Sequence, residues 1–157
     1  LSPHCTGPFF SWGWASDLMN FKSTLINLYF LLINADGKIN ERELFLGKKM
    51  LEAEGLPVDK FESDLEALKA KGLPALLAEG TASLKKLSQK QQIRCIAWLC
   101  VIANADGFMD KDEWKLIYKL YHDELDLLLD DVMKTQRELN KLIHGKSFHS
   151  FGVKVKE

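Results

Sequence analysis

The stretch INADGKINERELF at 33–45 decides how this chain is read, because it returns as ANADGFMDKDEWK at 103–115. In both places Asn-Ala-Asp-Gly closes a long apolar run. Two positions after the glycine stands an apolar residue (Ile39, Met109), then an amide or acid, then a glutamate three positions on. The two copies are offset by 70 positions (Asn34 to Asn104). Leu32 matches Ile102, Ile39 matches Met109, Asn40 matches Asp110, Glu43 matches Glu113 and Leu44 matches Trp114. A buried helix, a corner and an amphipathic helix thus occur twice, which predicts two pseudo-symmetric helical hairpins with their first helices, 1 and 5, packed together.

Most of the corner explains itself as helix punctuation. Gly37 and Gly107 stand where a helix stops, and glycine enters the left-handed region without steric cost. Ile39 and Met109 are suited to anchoring the turn on the core. Asn40 and Asp110 are N-cap residues, and Glu43 and Glu113 complete a capping box in which cap side chain and glutamate each accept from the other's backbone N–H. Asp36 and Asp106 are not explained in this way. An anion in the last turn of a helix meets the negative end of the macrodipole, so the pair calls for either an Asx-type hydrogen bond across the corner or a cation.

A twelve-residue calcium loop carries glycine at position six and a bidentate glutamate at twelve. Aligned on Gly37, Asn34 falls at three, Asp36 at five, Asn40 at nine and Glu43 at twelve. The second copy places Asn104, Asp106, Asp110 and Glu113 likewise. Position one, which needs a carboxylate, is Leu32 in one copy and Ile102 in the other, so neither is a regular EF-hand. The remaining candidate metal ligands are Asp36, Glu43, Asp106, Asp110 and Glu113, in a site the two hairpins could share. Oxygen-only ligands favour Ca²⁺, Mg²⁺ or Mn²⁺ over Zn²⁺.

Outward from the corners, helical periods dominate and strand signals are weak. Helices are expected over 18–35, 41–54, 58–71, from Pro74 with a weakening near Gly80, 89–105, 111–121 and 123–144. The first and fifth are apolar nearly all round and therefore central. Trp114, Ile117, Tyr118 and Tyr121 mark one stripe of the sixth; Leu125, Leu128, Leu129, Val132, Leu139 and Ile143 mark one of the seventh. Trp98 and Trp114 are expected in the core. The fold class is all-α, a single domain of about seven helices over 19–144. Residues 1–18, rich in Pro, Gly and aromatics without helical period, read as an extension that is non-native or loosely packed. Residues 145–157 read as a flexible tail.

A chain of 157 residues with 46% hydrophobic content supports one sizeable core. The net charge of −1 gives no basic field for nucleic acid or an anionic membrane. No apolar run reaches the ~18 residues of a membrane span. Cys5, Cys95 and Cys100 have no metal-site spacing and read as reduced thiols, which points to a cytoplasmic protein. His4, His122, His144 and His149 form no zinc-type pair, with His144 and His149 read as surface or capping residues. No nucleophile elbow or phosphate loop occurs, so no enzyme is expected. Lys134, Arg137, Lys141 and Lys146 form the solvated face of the last helix and its end. The oligomeric state is not written in the sequence.

The repeated "ADGKINERE" and "ADGFMDKDE", each after a buried helix, resemble the TerB family of tellurite-resistance-associated proteins, and are similar to the N-terminal domain of the membrane-anchored co-chaperone DjlA. The resemblance covers about 19–143. It implies an all-helical domain of two repeated units and a non-enzymatic bacterial role in stress response or signalling, with protein partners associated with the membrane. It also implies a divalent metal held by Asp36 and Glu43 in one copy and Asp106 and Glu113 in the other. Asp110 keeps the acidic residue often seen after the turn in that family, and Asn40 departs from it. The competing expectation is a metal-independent protein-interaction domain whose corners are only caps.

Overall fold

A computed structural model describes residues 19–35, 37–105, 107 and 109–155, with side chains to His144. Residues 1–18, with the expected extension and Cys5, lie outside the described residues, as do Asp36 and Asp106. The chain forms α1 (19–33), α2 (Glu41–Ala53), α3 (Phe61–Lys71), α4 (Leu73–Lys86), α5 (Gln89–Ala103), α6 (Lys111–Tyr118), a π-helical turn (Lys119–Glu124) and α7 (Leu129–Val155). The fold is all-α, and no strand occurs among the described residues. None of the described helices is long and apolar enough to cross a membrane.

The two helices that are apolar all round do form the centre. Leu25, Leu28, Tyr29, Leu32 and Ile33 of α1 are fully enclosed, and α5 is buried continuously from Cys95 to Ala103. Both belong to one hydrophobic core. The long α7 packs chiefly along α5, and its Val132 and Leu139 are buried. Ser88 caps α5 with a full capping box, and Gly72 alone separates α3 from α4.

Helix α4 runs unbroken through Gly80, contrary to the expected weakening. A Cβ there would lie 3.0 Å from the Asn27 Oδ1 and 3.2 Å from a Leu28 methyl. The glycine lets α4 approach α1 closely and does not end a helix. Ile39 is 49% exposed and anchors nothing, whereas Met109 packs against the core as expected. Trp98 is fully buried, but Trp114 and Tyr118 are each 38% exposed. The inward face of the sixth helix is instead Glu113, Ile117, Leu120 and Tyr121.

The end of the second hairpin differs most from expectation. Helix α2 stops in a Schellman turn: Gly55 is left-handed at φ 72° and Leu56 N–H donates to Leu51 C=O at 2.8 Å. In the second copy Leu127 N–H donates to Tyr121 C=O at 2.9 Å, and the left-handed residue is Asp126 at φ 57°. Tyr121 still matches Leu51 at an offset of 70, but Asp126 matches Gly55 at 71. The π turn is therefore a one-residue insertion, absorbed by a wider hydrogen-bond loop. Asp is among the few side-chain-bearing residues that tolerate the left-handed region. The insertion makes Leu127 the buried residue of the connection and leaves Leu128 69% exposed. It also delays α7 to Leu129. The helix then continues to Val155, through the aperiodic stretch after His144.

Candidate functional site

The two corners have the same hydrogen bonds. Ala35 N–H donates to Leu32 C=O and Ala105 N–H to Ile102 C=O, both at 3.0 Å. Gly37 N–H donates to Asn34 C=O at 3.2 Å and Gly107 N–H to Asn104 C=O at 2.9 Å. The two glycines have φ of 79° and 97°, and a Cβ on either would meet nothing within 4 Å. Conformation, not space, selects glycine there. The Asn34 amide nitrogen donates to Phe30 C=O and that of Asn104 to Cys100 C=O, each at 2.8 Å. Both asparagines thus turn their amide nitrogen back onto a carbonyl of the last helical turn, which leaves each amide oxygen as an acceptor.

Beyond each glycine the capping boxes form as expected. Asn40 Oδ1 accepts from Glu43 N–H at 2.8 Å, and Glu43 Oε1 accepts from Asn40 N–H at 3.5 Å. Glu113 Oε1 accepts from Asp110 N–H at 3.3 Å, while Asp110 caps the α6 amides and accepts from Asp112 N–H at 2.8 Å. Glu43 and Glu113 are only 4% and 3% exposed. Two carboxylates are therefore enclosed at corresponding places, and each faces its own corner. Leu32 and Ile102, at the first position of a calcium loop, are fully buried hydrophobes, so neither corner is a regular EF-hand.

Under the first corner, the Tyr29 hydroxyl donates to Glu43 C=O at 2.8 Å. Gly47 makes room for its ring, since a Cβ there would lie 2.4 Å from the Tyr29 Cζ. Burial, together with the charge of Glu43, pushes the Tyr29 phenol well above its ordinary range. At the matching positions of the second copy stand Leu99 and Ile117.

Side chains of the first copy bond to the second at two places among the described residues. Arg42 Nε, in the first turn of α2, donates to Ala105 C=O at 3.2 Å, at the second corner. His144 of α7 is half-buried rather than a free surface residue; its protonation is disfavoured by desolvation and then by the Arg42 charge. Sequence reasoning missed Arg42. The signal was a charge reversal, because the matching residue is Asp112. It also missed Glu54, whose Oε2 accepts from both Arg94 Nε and Trp98 Nε1 of α5. Its counterpart, Glu124, pairs with Lys85 and Lys119, each at 3.0 Å. Cys95 and Cys100 are free and buried. Desolvation pushes the Cys100 thiol up to about 12 and Cys95 further, which makes both inert at neutral pH.

Of the expected metal ligands, Glu43 lies in one corner and Asp110 and Glu113 lie together in the other. Among the described residues, no group of three or more His, Cys, Asp or Glu side chains converges within one ion's reach. The donors placed at the corners, carboxylates and amide oxygens, suit a hard cation. Beside α6, Met109, Trp114, Leu129 and Met133, with Asn104, Lys111 and Gln136, line an open, largely apolar groove of about 630 Å³.

No curated protein and no solved structure gave a match to the chain. The profile of the family described as "Tellurite resistance protein TerB" matches residues 22–127, more than half of the chain and both corners. The chain belongs to the TerB family.

Proposed function

We propose that this is a non-enzymatic TerB module whose two acidic corners each take a divalent cation, and that it serves bacterial stress response, tellurite resistance or signalling in the cytoplasm by engaging protein partners. The observation that carries the reading is the pair of buried glutamates, Glu43 and Glu113, held at the same place in two copies. Carboxylate and amide oxygens gathered at a helix corner are the donor types a hard cation takes. Each glutamate is turned by its capping bond toward its own corner, which favours two sites over one shared site. Asp36 and Glu43 would hold one ion; Asp106, Asp110 and Glu113 would hold the other. Ca²⁺, Mg²⁺ or Mn²⁺ suits these ligands better than Zn²⁺. The ion would supply positive charge to the enclosed carboxylates and fix the corner, so that occupancy alters what the helix ends present to a partner.

A second reading keeps the fold and omits the metal: a scaffold or co-chaperone-like domain that binds protein through the groove beside Trp114 and Met133. Melting curves separate the two. The metal reading expects the melting temperature to rise in millimolar Ca²⁺ or Mn²⁺ and to return with chelator. A melting temperature indifferent to both ions leaves the scaffold reading.

A further inference from the structure

Four polar side chains are buried among the described residues: Glu43 and Glu113, which the capping boxes use, and Thr24 and Asn27 of α1. Thr24 is only 2% exposed, and its hydroxyl has no hydrogen-bond partner among the described residues. The hydroxyl is not sealed off, because Thr24 lines a pocket of about 370 Å³. Asn20 of α1, Ser83 and Lys86 of α4, and Ser88 and Gln91 at the start of α5 line it as well. The pocket is more enclosed than the groove beside α6. It lies at the other end of α5 from the second corner, about 22 Å away for a helix of 15 residues rising about 1.5 Å at each.

The charge here is of one sign. No acidic residue lines the pocket, and none stands between Glu79 and Asp106 in the chain, a stretch that carries Lys85, Lys86, Lys90 and Arg94. Lys85 pairs with Glu124 and Arg94 with Glu54. Lys86, in the pocket wall, makes no ion pair among the described residues. The end of α4 does not need it, because the Gln92 amide already donates to Leu84 C=O at 3.0 Å and to Lys85 C=O at 3.4 Å. The start of α5 opens onto the same space. Ser88 takes the Gln91 N–H, which leaves those of Gln89 and Lys90 with no acceptor in their own helix, at the positive end of its macrodipole. We infer that this pocket binds a phosphate group: Lys86 supplies charge, and the first amides of α5 and the Thr24 hydroxyl donate to the phosphate oxygens. A buried threonine without an internal partner then has its reason in the ligand. The pocket holds more than a phosphate alone and falls within the size range of small-molecule sites, so the ligand expected is a small phosphomonoester. The site is independent of any ion at the corners.

Amide NMR spectra of the full chain, titrated with inorganic phosphate and with glycerol 3-phosphate at constant ionic strength, read the site directly, with chloride as the control for screening. Saturable shifts of the Gln89 and Lys90 amides that chloride does not produce are expected. Two substitutions locate the ligand. Lys86 is exposed, so Lys86→Gln should fold. Thr24→Val keeps the shape and removes a hydroxyl that makes no internal bond, so without ligand it should melt no lower than the parent. Each should raise the midpoint for glycerol 3-phosphate about tenfold, the loss of one hydrogen bond to a charged group. A lower midpoint for the ester than for inorganic phosphate would support the site as one for an organic phosphate, and the reverse order would support it as one for the free ion. Absence of saturable shifts with both ligands, or midpoints that neither substitution moves, would overturn the inference.

Discussion

The two hairpins reach the same corner by different packing. In the first, Tyr29 fills the space beneath α2 and Gly47 yields to it. In the second, Leu99 and Ile117 occupy those positions, with Ile117 fully buried. One large and one minimal residue are exchanged for two of intermediate size. Above this exchange the backbone hydrogen bonds of the two corners match pair for pair, with 3.2 against 2.9 Å at the glycines and 3.3 against 2.9 Å where the N-cap carbonyls accept from Leu44 and Trp114. The corner is thus preserved while its support is rebuilt, and the copies differ chiefly in charge: Asn40 against Asp110, and Arg42 against Asp112. The exits differ too, because only the second copy carries the inserted residue.

The inserted residue gives the largest test of this comparison. Deleting the exposed Asp123 should turn the π turn into regular helix, restore the offset of 70 through the connection, and leave a cooperative unfolding transition. Deleting Lys48 from α2 rotates every later residue of that helix by about 100° and turns Met50 and Leu51 out of the core. That variant should not fold. Circular dichroism with urea denaturation reads both, and equal outcomes would break the account of the insertion.

Next in size is the Tyr29–Gly47 pair. Gly47→Ala forces a Cβ into the Tyr29 ring and should cost about 3 kcal/mol, at the upper end of overpacking. Tyr29→Leu should cost about 2 kcal/mol through the cavity and the lost hydrogen bond to Glu43. The double variant Tyr29→Leu/Gly47→Ile transplants the solution of the second copy and should cost less than either single change, a coupling expected only of residues in contact. Additive losses in urea unfolding would show that the two supports are not equivalent.

Smaller still are the caps. Asn40→Ala and Asp110→Ala should each lose about 1 kcal/mol by the same measurement. A clear inequality would mean that one corner does more than end and start helices. The smallest effect concerns His144. Its folded pKa is lowered, by desolvation first and Arg42 second, so the folded state binds fewer protons than the unfolded chain at acidic pH. Stability should therefore be unaffected above the ordinary histidine value of 6.5 and decline as pH falls below it. Replacement by Gln should flatten that part of the pH profile; an unchanged slope would remove His144 from it.

Much of this was legible in the chain itself, and the reasons are local. Capping boxes, left-handed glycines and all-round apolar helices are properties of a few neighbouring residues, so Asn40, Glu43, Gly37 and α5 could be read directly. Gly80 was misread because a helix breaker and a close-packing glycine look alike until the facing helix is known. The π turn was invisible because a single inserted residue leaves the apolar spacing nearly intact, and its effect shows only in which of Leu127 and Leu128 is buried. Trp114 followed the helical stripe yet fell at its edge, since Glu113 takes the inward position. Of the site, the carboxylates were found from their spacing, but the Arg42 bridge spans 63 positions and depends on how the hairpins dock. Asp36 and Asp106, which first raised the question of a cation, are among the residues outside the described structure.

Calorimetric titration of Ca²⁺ and of Mn²⁺ into the protein, Glu43→Gln and Glu113→Gln tests the central claim most directly. Glutamine keeps the capping box and removes only the charge. Two ions per chain are predicted, with one lost in each variant. Absence of heat in the parent protein, or a single ion abolished by either substitution alone, would contradict two independent corners.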